Sequence, residues 1–149
     1  MSELTLIQKA AHHHEPNGHH HHVHLRAPRG TLGKRRWRGV AEDGREFGFD
    51  LDEALSHGDP FFVDGSKVYV LEQTPEEVLE IPVSTLEQAA RVAWSLGNLH
   101  FGVQVLAGAV RVTEDPAVLQ LLSREGIAYQ RVTCVFLPLS AGAHHHHHG

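Results

Sequence analysis

Only one cysteine, Cys134, stands in 149 residues, so no disulfide can form within the chain and a reducing, cytoplasmic setting is expected. Val132 and Phe136 share its face of a predicted strand, which makes Cys134 a small buried hydrophobe. No apolar run approaches the roughly 18 residues of a membrane span. Met1-Ser2-Glu3-Leu4 lacks the basic and apolar regions of a secretory leader, so neither membrane nor export is expected. A glycine-rich phosphate loop, a serine elbow and a Cys-His pair are all missing, and no spacing of acids singles out a catalytic pair; the chain does not read as an enzyme. Basic charge is short as well, with 13 Lys and Arg against 18 Asp and Glu. The cluster Lys34-Arg35-Arg36-Trp37-Arg38 therefore reads as a solvated strand face or a protein-docking face, and no nucleic-acid partner is expected.

Histidine is what the chain has in excess. Of fifteen, eight lie between His12 and His24, five run from His144 to His148, His57 falls in a predicted loop, and His100 alone sits in a periodic, foldable segment. The formal charge of −5 treats all of them as neutral, whereas each unperturbed imidazole carries about a quarter of a charge at pH 7. Neutral imidazole suits nickel, copper and zinc, and runs of it offer overlapping sites with little geometric selectivity. His144, His145, His146, His147 and His148 alone resemble a purification tag, but the second, interrupted cluster containing His19, His20, His21, His22 and His24 does not. Together the two ends point to a protein that handles a transition metal.

Leu4-Thr5-Leu6-Ile7 is a strand candidate, and residues 12–24 read as a mobile loop reservoir with a turn at Pro16-Asn17-Gly18. From Lys34 to Leu71 the alternation of Arg36–Val40, Glu46–Phe49, Phe61–Val63 and Lys67–Leu71, with turns at Asp43-Gly44 and Asp64-Gly65, predicts a mostly antiparallel β domain. Thr74-Pro75-Glu76-Glu77 is the expected linker. Beyond it come a strand at Val78–Val83 and a helix capped by Ser84 or Thr85 with Glu87 or Gln88. Leu86, Ala89, Ala90, Ala93 and Gly97 form the face expected to pack on a sheet, and Gly97-Asn98 is the expected left-handed stop. A hairpin of Val103–Ala107 and Val110–Thr113, a helix opened by Asp115-Pro116 and closed by Gly126, and a strand over Tyr129–Leu137 complete a β-α-β-β-α-β order. The fold class expected is α+β: an all-β domain over residues 1–73, a ferredoxin-like domain over 76–138 and a flexible histidine-rich tail over 139–149.

One imidazole cannot hold a divalent ion, but a two-fold dimer brings the same residue from both chains to its axis. The segment Trp94-Ser95-Leu96-Gly97-Asn98-Leu99-His100-Phe101-Gly102-Val103-Gln104 resembles the signature of the urease accessory protein UreE family, in which Gly-Asn-Arg-His is followed by Gln. Arg35-Arg36-Trp37-Arg38-Gly39 with Asp43-Gly44, the Gly58-Asp59 and Gly65 region, and the exit Phe136-Leu137-Pro138 into a histidine tail extend the resemblance over nearly the whole chain. It implies a cytoplasmic nickel metallochaperone with an amino-terminal domain of peptide-binding type. Such a protein dimerises through its ferredoxin-like domain and delivers Ni2+ to apo-urease with other accessory proteins, including a GTPase, while Zn2+ or Cu2+ compete. His100 matches the family's interface ligand and His144 to His148 its nickel-collecting tail. Leu99 stands where arginine is usual, Val110–Thr113 lacks the histidines some members carry there, and the cluster at residues 12–24 is an addition to the family pattern. The alternative reading is a histidine-rich nickel or zinc store with no delivery role.

Overall fold

The computed structural model describes residues 3–11 and 20–139, and the chain divides into two compact units between Thr74 and Pro75. His12, His13, His14, His19 and His144 to His148 lie outside the described residues.

The amino-terminal unit comprises β1 (Leu4–Ile7), β2 (His21–Ala27), the single turn α1 (Arg29–Leu32), β3 (Arg36–Val40), β4 (Glu46–Asp50), β5 (Pro60–Asp64) and β6 (Lys67–Gln73). These form two three-stranded sheets, ordered β1-β4-β3 and β2-β6-β5. The pairs within the stretch expected to be antiparallel are so, β3 with β4 and β5 with β6, while β1 and β2, which precede it, add one parallel pair to each sheet, β1 with β4 and β2 with β6. The expected mobile loop is corrected, because its last four residues belong to β2. Val23, Leu25 and Ala27 of that strand are buried, while His22, His24 and Arg26 alternate with them on the other face. A core of Phe47, Phe49, Phe61, Tyr69, Val23 and Leu25 lies beneath, with Trp37 stacked 4.1 Å from Phe49. Glycine is required at Gly39, where a Cβ would come within 2.8 Å of Leu25 and 2.9 Å of Trp37. Asp43 anchors its hairpin turn by accepting from the Arg45 N–H at 3.0 Å and the Tyr69 hydroxyl at 2.7 Å.

The carboxy-terminal unit comprises β7 (Glu76–Pro82), α2 (Leu86–Asn98), β8 (Gln104–Val105), β9 (Ala109–Val112), α3 (Pro116–Glu125) and β10 (Gln130–Cys134). Its sheet runs β10-β7-β9-β8 with every pair antiparallel. Glu76 and Glu77 therefore start a strand rather than extend a linker. The last strand stops at Cys134, not Leu137, and Cys134 is half-buried because β10 is an edge strand. Asp115 and Thr85 cap their helices as expected, accepting from Ala117 N–H and Gln88 N–H, and Gly126 ends α3 in the left-handed region. The packing face of α2 is rotated from the expected one: Val92 and Leu96 are buried with Ala89, Ala93 and Leu99 beside them. Leu86, Ala90 and Gly97 face out, because Val92 and Leu96 offer more apolar area than the small residues. Gln130, Glu80, Arg111 and Gln104 stand opposite one another across all four strands.

Candidate metal centre

Leu96 is fully buried, and that fixes how α2 ends. Its carbonyl accepts from Phe101 N–H at 3.3 Å and the Gly97 carbonyl accepts from His100 N–H at 2.8 Å, while Phe101 packs half-buried against the same core. This is the Schellman closure, with its left-handed position occupied by His100 at φ 67°. The left-handed stop thus falls at His100, not at Gly97-Asn98. A non-glycine residue there costs about 1 kcal/mol or more. His100 is exposed, so its imidazole is open to solvent and ligands.

The segment following β10 leads back to the same place. Phe136 is buried, the Leu137 N–H donates to Gln104 Oε1 at 3.2 Å, and the Leu139 N–H donates to the Val103 carbonyl at 2.8 Å. A Cβ on Gly102 would lie 3.2 Å from Pro138 Cβ, so backbone and ring are in contact there. Residues 137–139 thus lie against residues 102–104, two to four positions beyond His100 in the chain. His144 lies five residues past Leu139, within about 17 Å of chain.

The remaining predicted site residues are placed elsewhere. His24 is partly exposed, with its Nδ1 3.6 Å from Glu42 and 3.8 Å from Glu72, and Arg26 reaches the same two carboxylates at 3.8 and 3.3 Å. The backbone hydrogen bond from His24, aided by the charges of His24 and Arg26, holds the Glu42 carboxyl below its ordinary range. His21 and His22 are exposed and His20 is half-buried. His57 is engaged with the backbone: its Nδ1 accepts from Gln73 N–H at 3.0 Å. Among the described residues no three His, Cys, Asp or Glu side chains gather to hold a metal ion.

Sequence reasoning missed Gly102 as a contact surface and Gln104 as an anchor, although both lie in the signature segment. It also missed that Trp94 is 68% exposed, on the same outer side of α2 as Leu86, which is 90% exposed. The spacing of Leu86, Ala90 and Trp94, four residues apart, could have revealed a second apolar stripe.

Residues 76–149 match the family described as UreE urease accessory protein, C-terminal domain. The chain is 32% identical over 118 residues to the urease accessory protein UreE of Bacillus cereus, covering 77% of this chain and 78% of that one. It is 36% identical over 102 residues to the protein of the same name from Geobacillus kaustophilus, covering 67% and 69%. With that of Beijerinckia indica subsp. indica the identity is 30% over 120 residues, covering 76% and 68%.

Proposed function

Because the chain belongs to the UreE family of urease accessory proteins, a family of chaperones rather than enzymes, we propose that it collects Ni2+ and delivers it to apo-urease during assembly of the urease active site. The observation that supports this reading is His100 itself, an exposed histidine held in a costly left-handed conformation, with residues 137–139 packed against residues 102–104 just beyond it in the chain. In this reading the carboxy-terminal unit is ferredoxin-like, a topology supported by its β10-β7-β9-β8 order, and the amino-terminal unit is a β domain of peptide-binding type.

The second His100 comes from a homodimer formed through the carboxy-terminal unit. The outward apolar stripe of Leu86, Ala90 and Trp94 on α2, the helix that His100 follows, supports this. Paired His100 residues then hold the tight site, the imidazoles of His144 to His148 collect metal at weaker ones, and His19 to His22 and His24 form a further reservoir. Zn2+ and Cu2+ compete for the same donors. Each imidazole must shed its proton to bind, so affinity falls as pH drops through the imidazole range. Labile, solvent-open coordination lets the metal pass to the urease apoprotein, together with accessory partners including a GTPase, in the cytoplasm. Among the described residues no helix is long and apolar enough to cross a membrane.

The test is a nickel titration by calorimetry with molar mass from light scattering, on the intact chain, His100→Ala and a chain truncated after Gly142. The expected result is that His100→Ala abolishes a tight site of one metal per two chains, whereas truncation mainly removes weaker sites. Binding that tracks the number of terminal histidines and ignores His100 would make the protein a metal store.

A further inference from the structure

Strand β2 sets two of its histidines in a row on one face. Val23, Leu25 and Ala27 are buried, so His22, His24 and Arg26 stand on the opposite face, beside Val68, Val70 and Glu72 of β6. Glu42 holds His24 from two directions: its N–H donates to the His24 carbonyl at 2.9 Å, and its Oε1 accepts from the His24 N–H at 3.1 Å. That same Oε1 lies 3.6 Å from His24 Nδ1, and Glu72 Oε1 lies 3.8 Å from it. Arg26 takes the other oxygen of each carboxylate, with Nη1 3.8 Å from Glu42 Oε2 and Nε 3.3 Å from Glu72 Oε2. Two carboxylates thus face one ring nitrogen. They favour a proton on Nδ1, and a neutral imidazole protonated there carries its lone pair on Nε2. Orientation of the ring through its other nitrogen by a carboxylate is the usual arrangement behind a metal-bound histidine.

We propose that His22 and His24 form a two-imidazole chelate for a divalent transition-metal ion on the face of β2, with Glu42 and Glu72 as positioning residues behind His24. Residues two apart on a strand have Cα atoms about 6.6 Å apart. Two nitrogens bound to one ion at about 2.1 Å sit about 3 Å apart, a convergence within reach of neighbouring side chains on one face. His22 is exposed and His24 partly so, which leaves both rings room to turn toward a shared ion. His21 is one position out of phase and stands on the other side of the strand. The carboxylates are engaged by Arg26 and serve His24 rather than the ion, so the chelate has two protein ligands and water fills the remaining positions. Such a site exchanges its ion readily, yet it has a fixed geometry that interchangeable imidazoles in a histidine run lack. It is independent of the assignment of His100.

The experiment follows the ring nitrogens of His24 in the intact chain by nitrogen NMR as free Zn2+ is raised in a chelating buffer, so that ions taken up elsewhere do not change the free concentration. Nε2 should shift on binding while Nδ1 keeps its proton. His22→Ala should raise the free Zn2+ needed at His24 about tenfold, because a second nitrogen on the same strand acts at high effective concentration. His22→Thr, whose side chain favours a strand, should do the same. His21→Ala should leave the midpoint unchanged. Glu42→Gln combined with Glu72→Gln keeps an acceptor for the His24 N–H but removes both charges, and should also raise the midpoint about tenfold. Equal effects of His21→Ala and His22→Ala would overturn the proposal in favour of an unstructured histidine pool. An unchanged midpoint in His22→Ala, or binding through Nδ1 with the proton on Nε2, would overturn it too. The His100 ring reports in the same spectra, so the reading of His100 and this one can fail separately.

Discussion

His100 combines a backbone conformation suited to glycine with a side chain open to solvent. The Schellman hydrogen bonds around it need the backbone only, so the imidazole adds nothing to the closure of α2. His100→Gly should therefore stabilise the metal-free protein by about 1 kcal/mol, because glycine reaches the left-handed region without a Cβ penalty. His100→Ala should leave stability nearly unchanged, and both should lose tight nickel binding. Denaturant melts of the metal-free chains check this; a destabilised His100→Gly would mean that the imidazole has a structural partner. The residue was legible in the sequence because it stands outside the histidine runs, but its conformation was not. Gly97 would place Asn98 opposite Ala93 in the closure, whereas His100 places Phe101 against Leu96, and the apolar pair decides where the helix ends.

Strand β2 was hidden in the sequence for a related reason. Its histidines alternate with Val23, Leu25 and Ala27 at the period of a half-buried strand, but the adjoining low-complexity run masks that alternation. The order of elements in the carboxy-terminal unit was legible throughout, since its caps, its prolines and Gly126 mark the boundaries. The rotation of α2 was not, because two apolar stripes compete for the sheet and the sequence does not say which is covered. Register in that sheet is held by Glu80, which accepts from Arg111 Nε at 2.8 Å and Gln130 Nε2 at 3.2 Å. The Arg111 hydrogen bond, against partial desolvation and with help from Gln130, holds the Glu80 carboxyl below its ordinary value of 4.5. A depressed carboxylate contributes stability that is full above its unfolded value and is lost as pH falls through the folded one. Glu80→Gln should thus cost about 1 kcal/mol at pH 7, discounted for partial exposure, and flatten the decline in stability below pH ~4.5. Urea melts between neutral and acid pH would read both effects. An unchanged acid limb would remove Glu80 from the explanation.

The two units have separate cores: one contains Phe47, Phe49 and Tyr69, and the other Leu79, Leu96 and Leu122. Each unit also carries its own spectroscopic label. Trp37 stacks on Phe49 in the first, while the second holds α2 and α3, of 13 and 10 residues, against the four residues of α1. In a Trp94→Phe background, fluorescence reports the amino-terminal unit and far-ultraviolet helical ellipticity mainly the other. A ligand that binds the native state raises stability by RT ln(1 + [L]/Kd), about 2.7 kcal/mol at a hundredfold excess over Kd. If the tight site is at His100, nickel should raise the helical midpoint by about 10–20 °C, since a unit of this size gains 4–8 °C per kcal/mol. The Trp37 midpoint should move far less. The chain should be truncated after Gly142, because tail histidines that also bind metal when unfolded would shrink the shift. A shift confined to the Trp37 signal would move the tight site to the histidines of the amino-terminal unit.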